Sequence, residues 1–331
     1  HNLLNFGEYK SEFYGIEFSL QKLPILPLFY VFLFNISSNF IIFILLKNII
    51  TLSFMYFITF FSLKTLDKNF KEFFILMLFL FLIPYNLFVI LNYQYSDCLL
   101  AVMLPGLYLI LNSKLKNKFI FSSIILFMLY LTKTSMFFLV IFLPLVILIF
   151  EKRSKKKYAI LIGPILAIII WGYFGYQKIN RIPFGSNLLS VNSMGIHLAT
   201  HKDFFEYFPK KSVDILQSKI DIPENIKTEN QFFDYFDDKN KIFYSENKNK
   251  IKYLKDSIKK INFILFNIYR DGAREKNGNY DNSIRYSLVI DKIFLNISII
   301  ISLIILIKNI KNFFHKKNEV YFLSILCLNL L

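Results

Sequence analysis

The sequence predicts an all-α polytopic membrane protein, built as a helical bundle with an interfacial helix and an outer-face polar region. Three observations predict it. First, 55% of the 331 residues are hydrophobic and the mean hydropathy is +0.46, with the apolar residues gathered into blocks. Second, several blocks approach the ~20 residues that cross ~30 Å of hydrocarbon as a helix. They are continuous rather than alternating, which selects helices over a barrel. Third, lysine and arginine fall in short runs between the blocks. That is the pattern of cytoplasmic loops, so the formal charge of +16 reports topology and no nucleic-acid partner is expected.

Residues 1–23 are polar and aromatic, and form most of an outer loop over 1–38. Pro24-Ile25-Leu26-Pro27 opens a short apolar helix to about Phe34, too short to span and placed in the interface. Residues 39–63 make the first full span and run inward to the basic stretch Lys64–Lys71. Residues 73–91 return outward, kinked at Pro84, and reach the turn Asn92-Tyr93-Gln94-Tyr95-Ser96-Asp97. Residues 98–112 run in to Lys114, Lys116 and Lys118; residues 119–131 run out to Thr132-Lys133-Thr134-Ser135. Residues 135–150 run in to Lys152, Arg153 and Lys155–Lys157, and 158–177 run out.

Residues 1–177 are thus expected to form a membrane core, 178–285 an outer polar region and 286–331 further transmembrane helices, and the sequence is expected to be a fragment truncated at both ends. Long outer segments cross largely regardless of charge. Spans 98–112, 119–131 and 135–150 are short, which favours a thinned, water-accessible cavity on the outer side over completion by their flanks.

Two charges stand out at the outer turns. Asp97 opens an apolar stretch, and a carboxylate there is costly unless solvated or used. It can bind a metal or a sugar hydroxyl, or take a proton; it also suits a plain helix start, where the dipole favours an anion. Lys133 lies between apolar blocks with no acidic neighbour in sequence, so it must reach a surface or a partner. Its position against the positive-inside bias puts a phosphate-binding role on an equal footing with a snorkelling turn residue. Asp97 and Lys133 are expected as opposite walls of one outer site.

Lys22 is a second outward cation for the same phosphate, or an ordinary interfacial lysine. Lys47, inside the first span, either snorkels, which is the favoured reading, or lines the site. Glu8 and Tyr95 are further candidate lining residues. His197 and His201, four apart, are a weak metal signal without a third ligand. Cys98 and Cys327 lie in apolar segments and define neither a disulfide framework nor a thiolate site. The clusters at 204–208 and 232–236 suit the core of a small helical cap or an interfacial contact.

The order of these features resembles the integral-membrane glycosyltransferases of the GT-C class that use polyprenyl-phosphate sugars. The aminoarabinose-transferase-like and protein-mannosyltransferase-like enzymes (glycosyltransferase family 39-like) share most of the pattern. Leu3-Leu4-Asn5-Phe6-Gly7-Glu8-Tyr9 matches the end of the family's first outer helix. Gln21-Lys22-Leu23-Pro24-Ile25-Leu26-Pro27-Leu28 matches the turn into its interfacial helix. Tyr95-Ser96-Asp97 matches its second acidic turn, and Leu131-Thr132-Lys133-Thr134 the turn that follows.

The resemblance covers roughly residues 1–177. It implies an inverting sugar transfer from a polyprenyl-phosphate donor to a lipid, glycan or protein acceptor at the outer face of a bacterial inner membrane. Asp97 would be the supporting carboxylate, with Lys133 and Lys22 holding the donor phosphate. The family's principal catalytic carboxylate is expected upstream of His1. A divalent metal ion is a candidate cofactor with no ligand set fixed by these residues. The competing expectation is a lipid-linked glycan flippase or another transporter without covalent chemistry. Such proteins usually keep their charges near the midplane.

Overall fold

The computed structural model describes residues 11–13, 16–18, 23–65, 96–133, 136–151, 155–182, 223–235, 238 and 293. These residues are mainly helical. Two strands, β1 (Ser11–Phe13) and β2 (Ile16–Phe18), form a small sheet. They are followed by helices α1 (Ile25–Ile36), α2 (Phe40–Thr65), α3 (Asp97–Asn112), α4 (Lys118–Tyr130) and α5 (Phe137–Phe150). A 3₁₀ segment over Lys155–Leu161 leads into α6 (Ile162–Ile179).

Two helical stretches, Phe40–Ile58 and Lys155–Ile179, are long and apolar enough to cross a membrane, which suggests membrane association. The sheet departs from the all-α expectation for residues 1–23. The span expected from 158 starts in 3₁₀ geometry and becomes α-helical at Ile162. The expected spans 73–91, 286–307 and 319–331 lie outside the described residues, as does Pro84.

The chain divides into two compact units. The first, which includes residues 19–187, holds the helices. Asn39 starts α2: its Oδ1 accepts the Ile41 and Ile42 amides at 2.9 and 3.4 Å, a side-chain cap for orphan donors. Aromatic contacts hold α1 against α2, with Phe34 stacked on Phe43 at 4.3 Å and Tyr30 edge-on to Phe43 at 5.2 Å. Next, α2 packs on α3, α3 on α4 and α4 on α6. One core cluster joins Leu26 of α1, Met55 of α2 and Cys98 and Leu99 of α3.

Helix α2 is turned inside out relative to a water-soluble helix. Its buried stripe is Phe43, Lys47, Thr51 and Met55 at four-residue spacing. Ile41, Leu45, Ile49, Phe57 and Phe60 are exposed. Apolar-out and polar-in is the arrangement that hydrocarbon rewards and water penalises. By contrast α3, α4 and α5 have 16, 13 and 14 residues. At 1.5 Å per residue they reach only about 20–24 Å.

The second unit contains residues 12–18 and 188–301. Glu17 bridges to Thr228 in parallel sense. Thr228 and Gln231 form a reciprocal capping box, with Gln231 N–H donating to Thr228 Oγ1 at 3.3 Å and Thr228 N–H donating to Gln231 Oε1 at 3.2 Å. The helical residues that follow bury Phe232 and Phe233, so this described part of the second aromatic cluster is core.

Helices α4 and α6 approach closely at Ser123 and Gly163. Gly163 N–H donates to the buried Ser123 Oγ at 2.6 Å. A Cβ at Gly163 would overlap the Ser123 carbonyl group, so only glycine permits this approach. Gly163→Ala is therefore expected to lower stability in detergent by about 1–3 kcal/mol, and Ser123→Ala by about 1 kcal/mol. Thermal unfolding checks both, and an unchanged midpoint for Gly163→Ala would show that the crossing can relax.

Candidate functional site

The site is built from chain turns at one end of the helices. Thr132 and Lys133 follow α4 directly, and their backbone is tightly held. Lys133 N–H donates to Leu129 O at 3.3 Å, and its own carbonyl accepts from Met136 N–H at 3.0 Å. Thr132 Oγ1 donates to Met128 O at 2.6 Å. Leu131, Thr132 and Met136 are all buried. The turn is thus anchored by apolar side chains and leaves one long polar side chain to reach out.

That side chain reaches Asp97. Lys133 Nζ donates to Asp97 Oδ1 at 2.7 Å, forming an ion pair between residues 36 apart in sequence. Asp97 is the first residue of α3, whose first amides are held by the Ser96 carbonyl, from Leu99 at 3.0 Å and Leu100 at 3.3 Å. Its carboxylate therefore also sits where the helix dipole favours an anion. The lysine side chain is 39% exposed and the aspartate 28%, so the pair is open to solvent. Expected as opposite walls, the two residues are instead in direct contact. A lone ammonium beside apolar helices gains most by finding the nearest carboxylate.

A third element joins this end. Ile25 N–H, at the start of α1, donates to Leu131 O at 3.2 Å. The entry to the short helix and the lysine turn are therefore side by side. Lys22, Glu8 and Tyr95 lie outside the described residues, as do His197 and His201.

Lys47 is a correction. Its side chain is fully buried, so its ammonium does not snorkel. The reason lies in the rotation of α2, which points the stripe from Phe43 to Met55 at the bundle interior. Lys47 lies within electrostatic reach of the buried Cys98 thiol, and so does Asp97. The interior thus holds a lysine near Cys98, the residue that follows Asp97 in α3. Among the described residues no group of three histidine, cysteine or acidic side chains could hold a metal ion.

Sequence reading missed the direct pairing and the burial of Lys47. The signal for the first was present, since two isolated opposite charges at neighbouring turns of an apolar bundle have few other ways to be satisfied. No such signal fixed the rotation of α2, which is apolar on nearly every face.

No family model matches the chain, and neither does any curated protein or solved structure.

Chemically, this arrangement can present a positive charge to an anionic group and a carboxylate to a hydroxyl, side by side. It contributes little to folding. For a pair this exposed, a double-mutant cycle with Asp97→Asn and Lys133→Met is expected to give a coupling of about 0.2–1 kcal/mol in denaturant unfolding. The burial difference makes a separate prediction. An amine-directed reagent applied to the folded protein should modify Lys133 and leave Lys47 intact, as read by peptide mass spectrometry.

Proposed function

We propose that this chain is the core of a polytopic GT-C-type glycosyltransferase of a bacterial cytoplasmic membrane. It moves a sugar, with inversion, from a polyprenyl-phosphate donor to a lipid, glycan or protein acceptor at the outer face. The observation that carries the reading is the Asp97–Lys133 pair at 2.7 Å. It joins the acidic turn and the Leu-Thr-Lys turn, the two features through which residues 95–134 resemble that class. The hydrogen bond from Ile25 N–H to Leu131 O brings the entry of the short helix to the same place.

In this mechanism a carboxylate takes the proton of the acceptor hydroxyl, and the oxygen attacks the anomeric carbon. The bond from that carbon to the donor phosphate breaks. The phosphate leaves with its charge met by Lys133 and Lys22, whose effect is larger in a site with little water. Asp97 supports a principal carboxylate that the resemblance assigns to the first outer loop. A divalent metal ion remains a candidate without an assigned ligand set.

The complete burial of Lys47 favours a second reading, a flippase for lipid-linked glycans or another membrane transporter. A charge held inside the helices suits a transport path. The two readings separate in one assay. Membranes carrying the full gene product are given a polyprenyl-phosphate sugar labelled in the sugar, with a panel of lipid, glycan and protein acceptors. The transferase reading expects labelled acceptor and free polyprenyl phosphate. It also expects a loss of about 10²-fold in Lys133→Met, and no loss in Lys114→Met at the opposite end. Movement of the labelled lipid across vesicles without cleavage would establish the carrier instead.

A further inference from the structure

We propose that Asp97 and the phosphate of the lipid donor compete for the Lys133 ammonium, so that donor binding itself frees the Asp97 carboxylate. The inference rests on the reading of this end of the bundle as a phosphate site and adds the order of events within it.

The geometry supplies the argument. Lys133 Nζ is held by Asp97 Oδ1 at 2.7 Å, and among the described residues each is the other's only ion-pair and hydrogen-bond partner. A bound phosphate would have to share or take that ammonium. The pair can be opened from outside, because the side chains are 39% and 28% exposed. Exposed pairs are weak, and the donor's phosphodiester brings a negative charge on two free oxygens, one more acceptor than the single carboxylate oxygen that now holds the ammonium. The sugar-free polyprenyl phosphate is a monoester with three free oxygens and up to a second charge, and so competes more strongly.

Lysine backbone geometry does not resist it, since the turn is fixed by its own bonds to Leu129 and Met136 whichever anion the side chain meets. The displaced carboxylate is not left in a purely apolar setting. It stays at the first turn of α3, where the helix dipole favours an anion, and it is 28% exposed to solvent. Before the donor arrives, Asp97 Oδ1 is held by the ammonium. Afterwards both carboxylate oxygens can accept from an acceptor hydroxyl, without a competing cation. Donor binding therefore promotes productive acceptor binding.

The test uses polyprenyl phosphate without a sugar, added to the full gene product in detergent or nanodiscs. Asp97→Asn, which removes the competitor, should bind it about fivefold more tightly than wild type. Lys133→Met should bind it at least tenfold more weakly. In the wild-type protein a carbodiimide should form a zero-length cross-link between Asp97 and Lys133, and saturating polyprenyl phosphate should suppress it. This second readout needs no variant to fold. Equal or weaker binding by a folded Asp97→Asn, or a cross-link that persists at saturation, overturns the competition. If Lys133→Met still loses binding in that case, the phosphate-site reading stands. Undiminished binding by Lys133→Met removes that reading and the competition with it.

Discussion

A charge at the edge of an apolar helix bundle must find water or a partner, and that requirement organises the described end of this molecule. The cost of leaving a lysine or an aspartate unsatisfied among Ile, Leu and Phe exceeds what one helix contact returns. Lys133 and Asp97 meet the requirement together at 2.7 Å. The pair joins the turn after α4 to the start of α3, two elements that helix packing already brings together. The backbone bond from Ile25 to Leu131 brings the start of α1 there as well. Partial exposure keeps the pair weak, so it can specify an arrangement without locking it.

Helix placement was largely legible. Continuous apolar blocks and basic runs put α1, α2, α3, α4 and α5 within a few residues of where they lie. The basic runs also grouped the turns around Asp97 and Lys133 at one end. Rotation was not legible, because α2 reads apolar around its circumference and its sequence does not choose which side Lys47 takes. Contacts with α1 and α3 decide it, through Phe43 on one side and Met55 on the other. The small sheet was missed for a different reason. Its strands have three residues each, too few for alternation to register, although the intervening Tyr14-Gly15 is a hairpin-like pair. At the site, the two charges were assigned to one place but to opposite walls of it. Their contact spans 36 residues and depends on how α3 meets α4, which no local pattern encodes.

The shortness of α3, α4 and α5 bears on where this pair would sit. Helices of about 20–24 Å cannot carry both of their ends to the surfaces of a ~30 Å hydrocarbon layer. With the opposite ends fixed by exposed lysines such as Lys114, Lys116, Lys155 and Lys156, the shortfall falls at the end that carries Asp97 and Lys133. In the membrane reading the pair then lies slightly below the outer surface, reached by water yet flanked by apolar helices.

The lysines at the other end show that Lys133 is not simply another helix-end cation. Lys118 Nζ donates to Leu111 O at 3.0 Å, at the end of α3, and Lys157 Nζ donates to Leu148 O at 2.7 Å, at the end of α5. Each satisfies a terminal carbonyl, a common task for a lysine beside a helix C-terminus. Lys133 follows the C-terminus of α4 but bonds a carboxylate on a different helix. Snorkelling would explain exposure, and capping would explain a bond to a carbonyl; neither explains a directed contact with Asp97. Lys133 is thus a lysine whose partner is an anion on a neighbouring helix, open to solvent, and the proposed function rests on a phosphate being able to take that partner's place.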